Sequence, residues 1–241
     1  MIGWRARLGF LVPPGNPTVE PEMTALAPAG VSLHFNRMVA RGTTGAHAGQ
    51  GERNRMMVDN IDLSVEMLAL VKPDVIALAH TATSYGLGRE REAQLLARLE
   101  AASGTRVLTA FAAVLRALER LGVRKLALAA PYSRETTLQG KAHLEAHGVE
   151  VVNVAMLEGV ANIYDETAER AYRLARTADR DAAEAVFLTG TGLPTLPVLA
   201  ALEQDLGKPV LSSNAAMMWA ALRTAGVREA ISGYGRLLTL A

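Results

Sequence analysis

Two stretches of this chain repeat one pattern, and that repeat constrains the architecture more than any other feature. Val75-Ile-Ala-Leu-Ala-His-Thr-Ala-Thr83 and Val186-Phe-Leu-Thr-Gly-Thr-Gly192 each read as a buried strand running into a loop of small and hydroxyl residues. Each is followed by a second matched block. Gly104-Thr-Arg-Val-Leu-Thr109 leads into an Ala/Leu-rich helix and Gly122-Val-Arg124. Gly207-Lys-Pro-Val-Leu-Ser212 leads into another such helix and Gly226-Val-Arg228. The start of each half matches too, Leu8-Gly-Phe-Leu-Val-Pro-Pro14 with Lys125-Leu-Ala-Leu-Ala-Ala-Pro131, so the halves repeat at an offset of 103 to 117 residues.

Short apolar runs bounded by Gly, Pro or polar turns mark buried strands near 6–12, 31–36, 74–79, 106–109, 125–130, 149–154, 185–189 and 209–212. Helical patterns lie between them near 18–27, 52–71, 89–102, 110–121, 134–147, 164–179, 194–205 and 214–225. This alternation predicts an α/β fold of two pseudo-symmetric Rossmann-like lobes. Each is a four-stranded parallel sheet flanked by helices, with the active site in the cleft between them. By the symmetry of the repeat, the helix at 214–225 crosses back to the first lobe. The expected units are therefore 1–109 plus 214–241 and 110–213.

Composition narrows the function classes. Lys+Arg (25) balances Asp+Glu (24) without a basic run, which argues against a nucleic-acid partner. No apolar stretch reaches the roughly 18 residues of a membrane span, and the N-terminus has no signal-peptide pattern, so a cytoplasmic protein is expected. The chain has no cysteine, which excludes disulfides, thiolate nucleophiles and Cys-ligated zinc. No His/Asp/Glu grouping has metal-ligand spacing, and neither a metal nor a cofactor is expected.

Four strand-end loops carry the polar groups. The first, Val12-Pro-Pro-Gly-Asn-Pro-Thr18, offers Pro14 and Asn16, although Asn16 equally suits a plain helix cap. The second, His80-Thr-Ala-Thr-Ser84, places an imidazole at a strand end and hydroxyls at a helix start, a setting for proton transfer or for an anion. Its bland alternative is a histidine hydrogen-bonded within its own loop. The third ends at Tyr132. The fourth, Thr189-Gly-Thr-Gly192, lets backbone approach a small ligand or merely turns tightly. Asn162 precedes a later helix. The glycine-rich stretch 41–51 reads equally as a lid or as a surface connection.

Together these loops resemble the aspartate/glutamate racemase superfamily, in its maleate isomerase and arylmalonate decarboxylase branch, over essentially the whole chain. The resemblance implies a small-carboxylate substrate held by Pro14, Asn16, Thr81, Ala82, Tyr132, Asn162, Gly190, Thr191 and Gly192. It also allows a homodimer. Ala82 departs from an expected hydroxyl residue. The two positions where the family places cysteines hold His80 and Gly190, so thiol chemistry is impossible and His80 is the evident replacement acid or base. The expected activity is decarboxylation or isomerisation through an enediolate-like intermediate. Its rivals are a catalytically silent carboxylate-binding protein and, more remotely, a hydrolase using Ser84 or a threonine.

Overall fold

The computed structural model describes residues 2–241. The first half contributes β1 (Ala6–Val12), α1 (Val19–Leu26), β2 (Val31–Arg37), α2 (Gln50–Asp59), α3 (Ile61–Ala69), β3 (Val75–Leu78), α4 (Thr81–Ser103) and β4 (Arg106–Thr109). The second contributes α5 (Ala110–Leu121), β5 (Lys125–Ala130), α6 (Arg134–Glu145), β6 (Glu150–Met156), α7 (Ala168–Ala178), β7 (Ala185–Leu188), α8 (Leu196–Leu206), β8 (Val210–Ser212) and α9 (Ser213–Thr224). Two four-stranded parallel sheets result, ordered β2-β1-β3-β4 and β6-β5-β7-β8, as the repeat implies.

Register decides where the loops sit. Leu11 pairs with Leu78 and Leu78 with Thr109, so β1, β3 and β4 end level. Ala129, Leu188 and Ser212 are aligned in the same way across β5, β7 and β8. Every strand-end loop of a sheet therefore opens on one edge, where such folds bind ligands. The inner strands β3 and β7 are apolar and buried at all four positions because both faces are covered, while the edge strands β2 and β6 carry polar residues and are only partly buried.

α9 leaves the second sheet, packs along α5 and lies against β1, β3 and β4 of the first. The hydroxyls of Thr109 and Ser212 cap α5 and α9, accepting from Ala112 N and Ala215 N, so the repeat extends to the caps. One continuous core runs through both sheets, with Phe10, Phe111, Phe187 and Met217 fully buried in it. A smaller cluster, including Leu11, Ile61, Val65, Ile76 and Leu99, fills the outer side of the first sheet.

Two helices differ from expectation. The pattern at 52–71 forms two helices that meet at Asn60, where φ −110° and ψ 11° interrupt the helix. The pattern at 89–102 starts at Thr81 instead, with a kink at Gly88 (φ 73°). Burial of Thr81 through Tyr85 at the lobe boundary stabilises that extra turn despite its glycine-rich continuation.

The lobes are also joined by charge. Glu92 of α4 accepts from Ser84 Oγ (2.6 Å), Thr109 Oγ1 (2.5 Å) and His143 Nε2 of α6 (3.1 Å), all buried. Burial alone would raise the pKa of Glu92. The hydrogen bonds from His143, Ser84 and Thr109 outweigh it and hold the carboxyl below its ordinary 4.5. A depressed carboxylate stabilises the fold above its unfolded pKa and loses that contribution as pH falls through the folded value. Glu92→Gln is therefore expected to cost about 3 kcal/mol in urea unfolding at pH 7. The gap from wild type should shrink below pH 4.5; a gap independent of pH would contradict the pairing.

Candidate functional site

The edges of the two sheets meet through hydroxyl groups. Ser213 Oγ, at the start of α9, accepts from Thr81 Oγ1 (2.9 Å) and from the Gly190 N–H (3.1 Å). Thr191 Oγ1 donates to the Ala79 carbonyl (2.8 Å) and accepts from Asn16 Nδ2 (3.2 Å). Thr18 Oγ1 donates to the Gly192 carbonyl at 2.9 Å. The loop after β7 thus rests on the loops after β1 and β3, and His80 stands beside it. Gly190 has φ +100°, and a Cβ there would press on the Pro131 ring and the Tyr132 hydroxyl, so both backbone conformation and the neighbouring side chains favour glycine.

Glu22 secures the same junction from α1. Its carboxylate accepts from Thr195 N (2.6 Å), Leu196 N (2.9 Å) and Asn214 Nδ2 (2.6 Å). Burial raises its pKa against the lowering effect of these bonds. Arg37, at the end of β2, donates to the carbonyls of Pro13, Pro14 and Asn16 and pairs with Glu20 at 2.8 Å, which fixes the first loop.

His80 Nδ1 lies 2.8 Å from Thr83 Oγ1, and among the described residues Nε2 has no hydrogen-bond partner. Burial, and secondarily the nearby Arg53 charge, lower its pKa from 6.5 to about 4, so the imidazole is neutral at pH 7. It faces a cavity of about 30 Å³, room for one water, lined also by Pro13, Pro14, Arg53, Asn54, Ile163 and Tyr164. Tyr164 is pushed up to about 12 by burial, against the lowering influence of Arg53 and Arg37. Tyr132 is buried edge-on to Tyr85, whose hydroxyl bonds Thr189 Oγ1 at 2.7 Å. Burial raises both phenols well above their ordinary range, so both keep their protons.

The segment before α2 reaches across the cleft. His47 Nε2 is 2.8 Å from the Pro131 carbonyl, Asn162 Nδ2 donates to Thr44 O (3.1 Å), and Ile163 N donates to Gly45 O (2.9 Å). Tyr164 packs over Gly192. The site is closed in this conformation.

The sequence-derived candidates separate by place, with Tyr132 in the core beside Tyr85. Asn16, Thr81, Gly190, Thr191 and Gly192 form the hydrogen-bonded junction, while His80 and Pro14 line the cavity. Asn162 is spent on the segment at 41–49 and caps the turn at Tyr164. Ala82 packs in the core. The helix-capping reading of Asn16 holds, because its Oδ1 accepts from the N–H groups of Thr18 and Val19 at the start of α1, while its Nδ2 donates to Thr191 Oγ1. The Gly190 N–H, expected to face a ligand, is taken by Ser213. Ser84 is buried and donates to the Glu92 carboxylate, whose hydrogen bonds hold it below its ordinary pKa and make it a weak base for activating a nucleophile. Sequence reasoning passed over Glu22, Arg37, Arg53, Tyr85, Tyr164 and Ser213. Glu22 and Arg53 had one legible signal, a charged residue at helical spacing within a buried face.

The arylmalonate decarboxylase family model matches residues 8–238. The chain belongs to the arylmalonate decarboxylase family. It is 32% identical to the arylmalonate decarboxylase of Bordetella bronchiseptica over 68% of this chain and 70% of that one. It is 28% identical to the maleate isomerase of Nocardia farcinica over 96% and 95%. Among solved structures, it matches a cysteine-to-serine mutant of the Nocardia farcinica maleate cis-trans isomerase, described with a covalently bound succinylcysteine intermediate. The TM-score is 0.88 at 27% identity, over 97% of this chain and 98% of that one. No such thioether can form here, because this family member has no cysteine.

Closure makes a prediction. Gly45 has φ +81° and abuts the Asn162 side chain, so Gly45→Ala should dislodge the segment. Amide exchange across 41–49 should rise while the core stays protected; unchanged protection of 41–49 would contradict the contact.

Proposed function

We propose that this protein is a cysteine-independent isomerase or lyase acting at the carbon next to a carboxylate of a small mono- or dicarboxylic acid. The observation that carries the reading is His80: a neutral imidazole with a free Nε2, facing a small cavity at the junction of the two lobes. Family membership supports the substrate class, since the named relatives are maleate isomerases and an arylmalonate decarboxylase.

In the tautomer whose Nδ1–H donates to Thr83 Oγ1, Nε2 carries the lone pair and takes a proton from the substrate carbon. The electrons left behind pass into the carboxylate as an enediolate. Among the described residues the buried Thr191 and Gly192 N–H groups have no hydrogen-bond acceptor, and this supports their donating to that oxyanion. Pro14 lines the pocket, Asn16, Thr81 and Tyr132 hold the packed junction beside it, and Asn162 acts through the segment it holds. Returning the proton exchanges or epimerises that carbon; in a decarboxylating cycle the bonding pair left by CO₂ passes into the remaining carboxylate as the same enediolate, and Nε2, protonated from solvent, delivers the proton that ends it. A neutral imidazole suits the base role more directly than the acid role. The units 1–109 plus 214–241 and 110–213 would then act as two jaws, a reading supported by α9 lying on the first sheet. The reading needs no cofactor, places the protein in the cytoplasm and leaves room for a homodimer.

Two measurements test it. His80→Ala should lower kcat at least about 100-fold on whichever of maleate or phenylmalonate is turned over, with the melting temperature retained. The kcat/KM of wild type should stay level down to the low pKa of His80 and fall as pH drops through about 4. A fall centred near the ordinary histidine value of 6.5 would contradict the neutral-base reading.

A further inference from the structure

α2 buries the wrong kind of residue for an ordinary amphipathic helix. Its inward face, at spacing i, i+3, i+4 and i+7, is Gln50, Arg53, Asn54 and Met57, and all four line the His80 cavity. Gln50 is 8% exposed and Arg53 9%. Such positions normally carry aliphatic side chains, and arginine is almost never this buried unless it is paired.

Among the described residues Arg53 has no carboxylate partner. Its guanidinium donates to the Ala48 carbonyl at 2.6 Å and to the Ala46 carbonyl, both on the segment that closes the cleft. Carbonyl oxygens satisfy its N–H groups but carry no counter-charge, and no aspartate or glutamate lines the cavity. A positive charge is therefore held in a buried site without a counter-charge, a costly arrangement unless an anion arrives to meet it. On the other side of α2 lies an open groove of about 630 Å³, and Gln50 and Asn54 line both spaces. The helix is thus the wall between the groove and the His80 cavity, with Arg53 on its inner side.

We propose that Arg53 is the specificity residue for a second carboxylate on the substrate. The anion enters past Gln50 and Asn54 and takes the forked guanidinium donors from the Ala46 and Ala48 carbonyls. This inference rests on the reading that the cavity at His80 accepts a small carboxylic acid. Arginine suits the task because its planar fork matches a carboxylate bidentately. Exchange of partners also couples binding to the closing segment, since Arg53 is one of the residues that pin it. The arriving anion offsets the charge beside His80, moves the imidazole pKa back towards its ordinary value and makes the base stronger only when a diacid is bound.

The test is calorimetric titration of wild type, Arg53→Met and Arg53→Lys with two matched pairs, succinate against butyrate and maleate against isocrotonate. Wild type should bind each diacid at least about tenfold more tightly than its monoacid. Arg53→Met should bring the ratio within about twofold, whatever it does to the absolute affinities, and Arg53→Lys should fall between. The ratio is taken within one protein, so a general loss of stability does not imitate the effect. If Arg53→Met does not fold, the wild-type and Arg53→Lys ratios decide the matter. Equal binding of diacids and monoacids by wild type, or a full preference kept in either variant, would overturn the role of Arg53 and leave the carboxylate reading standing. No binding of any of the four acids by wild type would overturn both.

Discussion

The hydroxyl of Ser213 holds the site together. It accepts from Thr81, after β3, and from the Gly190 N–H, after β7, so one buried oxygen sets the spacing of the two lobes where they face each other. Thr191 and Asn16 extend the junction, and Glu22 anchors it to the start of α8. Each bond is modest by itself, of the order of 1 kcal/mol. Breaking one, however, strands a buried partner, so the loops stay in one arrangement and His80 stays at its edge.

That arrangement explains how a family fold persists without thiols. The relative with a succinylcysteine intermediate shows covalent use of its cysteine. Here the loop after β7 presents Gly190, where a side chain would press on the Pro131 ring and the Tyr132 hydroxyl. The first-lobe loop presents His80 instead. A single basic atom on one side of the cavity favours proton transfer on one face of a substrate over a two-sided exchange. Burial, with help from Arg53, keeps that atom unprotonated.

The repeat made much of this legible. Matching Val75–Thr83 to Val186–Gly192 places His80 and Gly190 at equivalent strand ends, and the parallel sheets put both at one cleft. Helix boundaries were less legible. Asn60 interrupts a continuous periodic pattern, and Thr81–Tyr85 is helical because the lobe boundary buries it. Least legible were the charged residues turned inward. Arg53 and Glu22 sit at spacings that ordinarily mark a solvent face or a core stripe, and only the tertiary structure shows that each faces a cleft or a helix start. Asn162 was legible as polar and near the site, but its partner, the Thr44 carbonyl, lies 118 residues away.

The central claim is that His80 moves a proton at the carbon beside a carboxylate. Proton NMR in D₂O, with maleate, phenylmalonate, aspartate, glutamate and hydroxy acids as substrates, tests it most directly. The account predicts deuterium uptake next to a carboxylate, with isomerisation or loss of CO₂, in wild type and not in His80→Ala. Uptake that persists in His80→Ala would contradict it, as would silence of the wild-type protein across the panel.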